Sequence, residues 1–310
     1  MVKLTGQCTT INGAMYRPFC KCFLHFDKHW IHRQYQMPRI FPEPEVENMA
    51  ICLEAPGGKT NFSTLITNTL PDLHLFGSTQ CFPYYVYESA KPTKGVLVDD
   101  VILEGERVGD YVRRENITDF ALQNFREHYK DNTITKRDIF YYIYGILNCR
   151  SYQERFAAEL KKQLPRIPFA YDFRSFVRGG QKLAELHLNY ETLEPFPLTE
   201  KITGTLNYHV NEMRFPSKTD KTKIIYNSSL TLEGIPPETY RCVVNGKSAL
   251  EWILERYKIS THKESNITND PNDWCTENNN ERYIVDLVKR IVRLSVESVK
   301  IIERLPELVF

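Results

Sequence analysis

Residues 135–190 constrain the fold more than any other stretch, because they carry two helix-start signals in quick succession. Thr135 lies three residues before Asp138, and Ser151 lies three residues before Glu154. At this spacing a hydroxyl accepts from an early backbone N–H of a helix, and the acid reaches back to the capping residue. Apolar residues then recur at helical spacing until a proline ends the pattern. The stretch predicts three or four packed helices with a basic rim, which is a scaffold and not a catalytic site.

Gly179 and Gly180 interrupt this helical block. Each glycine inside a helix costs roughly 1 kcal/mol relative to alanine. The pair is therefore interpreted either as a joint between two helices or as a point where two backbones approach closely. It lacks the flanking residues of a phosphate-binding loop.

The rest of the chain predicts an α+β fold. Short β-prone runs fill the first third, at residues 19–26, 48–54, 63–67, 73–76 and 81–87, and a polar connection follows at 91–109. Further patterns predict strands at 206–214, 223–232 and 240–244, helices at 116–128, 245–257 and 281–305, and a polar loop at 260–281. We therefore expect a β-rich N-terminal subdomain over residues 1–110. A mainly helical subdomain over residues 111–310 follows, with a small antiparallel sheet inserted at about 201–246.

Charge is locally uneven in a chain whose formal net charge is only +1. Such a net charge gives no global attraction for nucleic acid, so any site for a polyanion must be a local patch. Residues 1–41 hold six basic residues against one acid, with Trp30, Tyr35 and Phe41 interleaved, and residues 150–182 hold eight against three. The first segment suits phosphate tracking and base stacking, although an ordinary solvated pair of strands with basic outer faces is equally open.

The lysine-bearing loop at residues 215–222 leaves two interpretations open. It suits a finger that enters a nucleic-acid groove, and it suits the plain tip of a hairpin.

Eight cysteines are present, and none forms a CxxC pair or fits a zinc motif. We expect reduced cysteines, no metal site and a cytoplasmic location. The sequence contains no apolar run of signal-peptide or membrane-spanning length.

Catalytic motifs are absent from the sequence. It has no Walker loop, no Asn-Pro-Pro-Tyr motif, no glycine-rich cofactor motif, no nucleophile elbow and no PD-(D/E)xK-like constellation. Asp72 and His74 could be a catalytic pair, but no nucleophile accompanies them and a structural histidine is preferred. We therefore expect no enzymatic activity from this chain on its own.

Several blocks carry a family resemblance, namely 16–19, 35–39, 70–74, 80–83, 138–190, 213–216, 244–252 and 269–274. The first four resemble the segment that follows the catalytic core in large bacterial adenine methyltransferases of restriction systems. The later blocks resemble the C-terminal specificity domain of Type ISP restriction–modification enzymes. The likeness covers nearly the whole chain.

In that family one polypeptide joins a nuclease, a helicase-like motor, a methyltransferase and a target-recognition domain. The resemblance implies that this chain is only the last part, which recognises double-stranded DNA and presents it to an adenine methyltransferase on missing sequence. The implied partners are duplex DNA and the methyltransferase and helicase-like domains of the same polypeptide, with no membrane. S-adenosylmethionine, ATP and Mg are expected only for the missing domains, and no cofactor is expected in this chain.

Recognition loops differ between members, so the resemblance does not supply individual base-reading residues. Cationic side chains contact phosphates or guanine edges, which makes these the candidate DNA contacts: Arg17, Lys21, Arg33, Arg39, Arg174, Arg178, Lys218, Lys221 and Lys223. Arg17 and Arg39 lie in family-like blocks, which suits a structural role equally well. The alternative function is a docking module without DNA affinity that holds the methyltransferase and motor together.

Overall fold

A computed structural model describes residues 11–58, 60–90 and 104–309. Most of the predicted connection at 91–109, together with Lys3 and Cys8 of the basic N-terminal segment, lies outside the described residues. No helix within these ranges has the length and apolar character needed to cross a membrane.

The described residues form both strands and helices, which confirms the α+β class. The strands are β1 Ile11–Arg17, β2 Cys20–His25, β3 Ala50–Glu54, β4 Thr64–Thr67, β5 Leu70–Pro71, β6 Thr79–Pro83, β7 Tyr85–Ser89, β8 Glu106–Val108, β9 Tyr111–Glu115, β10 Thr199–Ile202, β11 Lys223–Ile225, β12 Leu230–Glu233, β13 Val243–Val244, β14 Lys247–Ser248, β15 Ser260–Thr261 and β16 Thr268–Asn269. The helices are α1 Met37–Ile40, α2 Asp119–Tyr129, α3 Lys136–Asn148, α4 Arg150–Arg155, α5 Ala157–Leu160, α6 Phe173–Leu188, α7 Ala249–Arg256, α8 Pro271–Glu277 and α9 Tyr283–Glu303.

Small sheets with a central strand organise the β structure. Strand β1 lies between β2 and β5, β3 lies between β4 and β6, and β9 lies between β7 and β8. The pairing of β1 with β5 is parallel, whereas β3 and β9 pair with their neighbours in antiparallel fashion. The predicted inserted sheet is present too, because β12 pairs antiparallel with β10 and β11.

The chain divides into two compact units. The described residues of the first lie within 11–17, Lys21–Ala184 and 305–309, and the second comprises Pro18–Cys20 and Glu185–Arg304. Residues 111–184 share the first unit with the β-rich segment, so this division does not fall at residue 110. The two domains expected from the sequence stay a prediction.

An aromatic core holds the helices of the first unit together. The Tyr142 ring lies 4.9 Å from the Phe173 ring and 5.5 Å from the Phe125 ring. Its hydroxyl donates to the Pro168 carbonyl at 2.6 Å and accepts from the Ala170 N–H at 2.7 Å. The buried phenol thus satisfies the backbone of the extended connection that precedes α6.

The first helix-start prediction is confirmed, and the second is wrong. Thr135 and Asp138 form a complete capping box at the start of α3. By contrast α4 starts at Arg150, without any side-chain cap. The Ser151 hydroxyl accepts instead from the Leu308 N–H at 3.2 Å, a partner 157 residues away in sequence.

Gly180 lies where two helices approach closely, as one interpretation of the glycine pair predicts. The other interpretation, a joint between two helices, is wrong. Helix α6 runs unbroken through both glycines. A Cβ atom at Gly180 would lie 1.9 Å from the Tyr141 carbonyl oxygen, and one at Gly145 would lie 2.4 Å from the Phe176 carbonyl oxygen. Helices α3 and α6 therefore meet backbone to backbone at these glycines.

In the second unit, helix α9 supplies more buried hydrophobic residues than any other described element, as its sequence stripe predicts. Ile284, Leu287, Val288 and Ile291 on this helix are fully buried. Helix α9 packs against α7 and against a 3-10 helix at Pro237–Arg241.

The predicted strand at 206–214 is wrong, because only Arg214 of this range pairs with a strand, in a single β-bridge to Ile225. Side-chain amides bond several of the other backbone groups. Asn272 accepts from the Val210 N–H at 2.9 Å and donates to the Val210 carbonyl at 2.8 Å. Asn227 donates to the Asn207 and His209 carbonyls. These bonds replace the ladder that a strand would require.

Other predictions for short segments also need correction. Residues 73–76 form a turn, since the Asp72 carboxylate accepts from the His74 N–H at 2.7 Å. Residues 237–241 form the 3-10 helix, and only Val243–Val244 of the predicted strand at 240–244 is extended. The predicted loop at 260–281 contains β15, β16 and α8.

The helix predicted over 245–257 starts late, at Ala249, and Asn245 lies outside it. Asn245 has a φ of 49° in the turn between β13 and β14, where Asn-Gly is favoured. Ser248 and Glu251 cap α7 with a capping box. The helix predicted from 116 starts similarly late, at Asp119 after its cap Thr118.

His187 gives the fold an acid sensitivity. Its ring is buried, its Nε2 lies 3.0 Å from Ser298 Oγ, and burial lowers its pKa to about 4. In the unfolded chain the His187 ring binds a proton with a pKa near 6.5. The contribution of the neutral ring to the free energy of unfolding is therefore complete above that pH, and it is lost as the pH falls toward 4. Between pH 7.5 and pH 5 we expect this group to remove about 2 kcal/mol of the free energy of unfolding.

Urea unfolding at the two pH values measures that loss. His187→Gln should remove it, because the amide does not titrate. His209→Gln is the control, since this histidine is exposed, and should keep the wild-type pH dependence. An unchanged pH dependence in His187→Gln would contradict the assignment.

Candidate nucleic-acid interface

Internal ion pairs hold three of the predicted cations. Arg17 donates to Asp72 at 2.9 Å, its side chain is 18% exposed, and its guanidinium lies over the Tyr16 ring. Asp72 is therefore engaged, and the His74 Nδ1 lies 2.6 Å from the Gly77 carbonyl. The Asp72 carboxylate and the His74 ring therefore have separate structural partners, although the Asp72 carboxylate also accepts from the His74 backbone N–H.

Arg174 bridges an acidic residue in the turn before α3 and another in the first turn of that helix. Its guanidinium donates to Asp131, Asp138 and the Thr133 hydroxyl. Hydrogen bonds from the Thr133 hydroxyl and from Arg174 lower the pKa of Asp131 to about 2. The guanidinium thus fixes the turn to α6.

Lys221 is held in a similar way. Its Nζ lies 2.7 Å from Glu251 Oε1 and over the Phe215 and Tyr240 rings. Part of the predicted finger at 215–222 is therefore anchored to α7. Lys223 is partly buried on β11, where it lies opposite Glu233, and Lys21 is partly buried on β2.

The other predicted cations lie closer to solvent. Arg39 is exposed and donates to Glu88 at 2.9 Å. Arg33, Arg178 and Lys218 are exposed, and within the described ranges they make no ion pair. Arg178 donates to the Ser175 hydroxyl, three residues earlier on α6. As DNA contacts, all nine residues stay predictions. Arg33, Arg178 and Lys218 are the ones among them whose charges are exposed and make no ion pair in the described part of the chain.

An exposed turn in the first unit combines aromatic and basic side chains. We name residues 26–36 the Trp30 turn. The Trp30 and Tyr35 side chains are 77% and 62% exposed, and Lys28, His29, His32 and Arg33 are exposed as well. Phe23, on the preceding strand β2, is 75% exposed.

Backbone and side-chain hydrogen bonds hold the Trp30 turn. The N–H groups of Trp30 and Ile31 both donate to the Asp27 carbonyl at 3.0 Å, and Gln34 donates to the Phe26 carbonyl. The His29 N–H and ring lie within hydrogen-bond distance of the Asp27 carboxylate and lower its pKa. The acid of this segment is thus engaged with His29.

The comparisons with known proteins identify the family. A sequence model of the Type ISP C-terminal specificity domain matches residues 2–287. The chain belongs to this family. A search of curated protein sequences finds no match.

Solved structures resemble this specificity domain over nearly its whole length. The ATP-dependent Type ISP restriction-modification enzyme LlaBIII, bound to DNA, is 33% identical with a TM-score of 0.85, over 99% of this chain and 19% of that one. A nuclease-deletion mutant of the Type ISP enzyme LlaGI, in complex with a DNA substrate mimic, is 32% identical with a TM-score of 0.82, over 100% and 26%. A DrdV–DNA complex is 30% identical with a TM-score of 0.82, over 97% and 29%. The chain therefore spans less than a third of the length of each of these proteins.

The sequence did not predict one exposed element of the specificity domain. Strands β15 and β16 pair to form a hairpin, and residues 260–269 are all exposed. The Thr261 and Thr268 hydroxyls lie 2.9 Å apart across it. Thr261 and Thr268 are the β-prone residues of this stretch, whose polar composition otherwise favours a loop.

The described ranges contain no cluster of three or more His, Cys, Asp or Glu residues that could hold a metal ion. Cys52 and Cys81 face each other across β3 and β6 with their sulfurs 3.8 Å apart. The pair lacks the further ligands of a zinc site within this part of the chain.

Proposed function

We propose that this specificity domain recognises a DNA target sequence and positions the duplex for an adenine methyltransferase outside this chain. The observation that carries the proposal is the match, over nearly the whole chain, to three solved structures of protein–DNA complexes. Its partners would be duplex DNA and the methyltransferase and helicase-like domains of the same full-length polypeptide.

We further propose that the chain performs recognition without catalysis of its own. Membership of a family of specificity domains supports this proposal. S-adenosylmethionine, ATP and Mg are then expected to serve the remaining domains. The cytoplasmic location inferred from the cysteines stays a prediction.

The exposed cations suggest how binding would depend on salt. Each phosphate that a Lys or Arg neutralises contributes about 0.9 to the slope of log affinity against log salt concentration. Arg33, Arg178 and Lys218 have exposed charges without an internal ion pair in the described part of the chain. We expect them to contact phosphates, whereas the internally held Arg17, Arg174 and Lys221 stabilise the fold.

A selection from random duplexes, followed by titrations at several salt concentrations, tests the proposal. We expect enrichment of one short asymmetric sequence and an affinity that falls as salt rises. The triple variant Arg33→Gln, Arg178→Gln and Lys218→Gln should weaken binding and reduce the salt slope by up to about 3.

The matched control removes the same number of charges from exposed cations that contact acids. It carries Lys201→Gln, Arg241→Gln and Lys300→Gln, whose partners are Glu233, Glu303 and Glu297. Equal effects of both triple variants would contradict the role of the three accessible cations. No binding by the wild-type chain at low salt would overturn DNA recognition and favour the docking module.

A further inference from the structure

Trp30 is exposed to solvent, whereas the other two tryptophans of this chain are buried or partly buried. Trp252 is 6% exposed and its indole N–H donates to the Val244 carbonyl at 2.8 Å, and the Trp274 ring lies 4.1 Å from the Tyr283 ring. Trp30 is 77% exposed, and the His25 ring lies edge-on to it at 6.4 Å. A tryptophan normally contributes a large buried apolar area, and Phe23 and Tyr35 in the same short segment are exposed as well, so this group of aromatic side chains is a candidate binding surface.

The turn presents this side chain in a fixed position. The hydrogen bonds of Trp30 and Ile31 to the Asp27 carbonyl, and of Gln34 to the Phe26 carbonyl, restrain the backbone on both sides of the indole. A contact made by a restrained side chain loses less conformational entropy on binding.

The charges around Trp30 indicate which ligand it would meet. Lys28 and Arg33 are exposed on the same turn, while the Asp27 carboxylate is engaged by His29. An exposed aromatic ring on the same turn as exposed cations suits a nucleobase with its neighbouring phosphates, because bases stack on aromatic rings and phosphates attract Lys and Arg.

We propose that Trp30 stacks on a nucleobase at an opened step of the bound duplex, with Lys28 and Arg33 contacting the flanking phosphates. This inference rests on the proposed function. Base faces are covered inside an intact duplex, so a stacking side chain needs a step that is kinked or lies beside a base taken out of the stack. The base is therefore met where the duplex is deformed, and the contact contributes affinity without reading a particular base edge.

Titration of the duplex selected above tests this stacking contact. Trp30→Ala should weaken binding roughly 5- to 150-fold, the range for loss of one base–aromatic stack, and should leave the salt slope unchanged. Trp30→Phe should retain most of the affinity. In the wild type, DNA should quench the fluorescence of the exposed indole, and this quenching should disappear in Trp30→Phe.

Phe120→Ala is the matched control. Phe120 is also 77% exposed and lies in the same unit, but it follows Asp119 at the start of α2. We expect wild-type affinity from this variant, and unchanged thermal unfolding from both alanine variants because both side chains lie in solvent.

The outcomes separate the two proposals. Wild-type protein that binds the duplex, with no loss and no change in quenching in the Trp30 variants, would overturn the stacking contact and leave target recognition standing. Equal losses in Trp30→Ala and Phe120→Ala would also overturn it. A wild-type chain that binds no DNA would overturn the proposed function itself.

Discussion

Gly180→Ala should destabilise the specificity domain by about 3 kcal/mol or more, whereas Gly179→Ala should not. A Cβ atom at position 180 would lie 1.9 Å from the Tyr141 carbonyl oxygen and 2.8 Å from the Gly145 backbone nitrogen. Both neighbours belong to the backbone of α3, so helices α3 and α6 would have to separate. The destabilisation follows because this separation would disturb the aromatic core around Tyr142.

The adjacent glycine is a matched control on the same helix. A Cβ atom at Gly179 would meet Leu305 Cδ2 at 2.3 Å, which is the far end of a flexible side chain. Both substitutions gain the same helix propensity, about 1 kcal/mol. Thermal and urea unfolding followed by circular dichroism would measure the difference, and equal stabilities of the two variants would contradict the backbone contact between α3 and α6.

The sequence predicted the helices best where the signals are local. The Thr135–Asp138 capping box and the long stripe of α9 depend on residues within a few turns of one another, and both appear in the structure. Ser151 shows where this reasoning fails. Its hydroxyl has an alternative partner 157 residues away, and the sequence pattern carries no information about that partner.

The same physical reason limited the prediction of the site. The sequence singled out nine cations by charge and context, but the acids that hold Arg17, Arg174 and Lys221 are 30 to 55 residues away along the chain. Only the folded structure shows that these three charges are engaged. Composition alone predicted the aromatic and basic character of residues 1–41, whereas the exposure of Trp30 depends on the packing of the surrounding turn.

Glu200→Gln should cost the second unit about 3 kcal/mol of stability. The Glu200 carboxylate accepts from Arg282 at 2.7 Å and from Lys289, whose side chain is only 11% exposed. The substitution leaves Lys289 as a buried charge without its carboxylate, which is far more costly than the loss of a surface pair. Hydrogen bonds from Arg282 and then from Lys289 also lower the pKa of Glu200 to about 2.

That pKa fixes the pH dependence of the effect. The carboxylate stabilises the folded state fully above the unfolded value near 4.5, and this contribution is lost as the pH falls toward 2. The difference between wild type and Glu200→Gln, measured by urea unfolding, should therefore be largest near pH 7 and should shrink below about pH 4.

Glu233→Gln is the control in the same sheet. Glu233 lies on β12, and its ion pair with Lys201 on β10 is 4.0 Å long, with the Lys201 side chain 66% exposed. Such a surface pair contributes about 0.5 kcal/mol or less, so this variant should unfold nearly as the wild type does. If Glu200→Gln also unfolded like the wild type at pH 7, Lys289 would have to find another partner or reach solvent. The Glu200 carboxylate would then not be what joins β10 to α9.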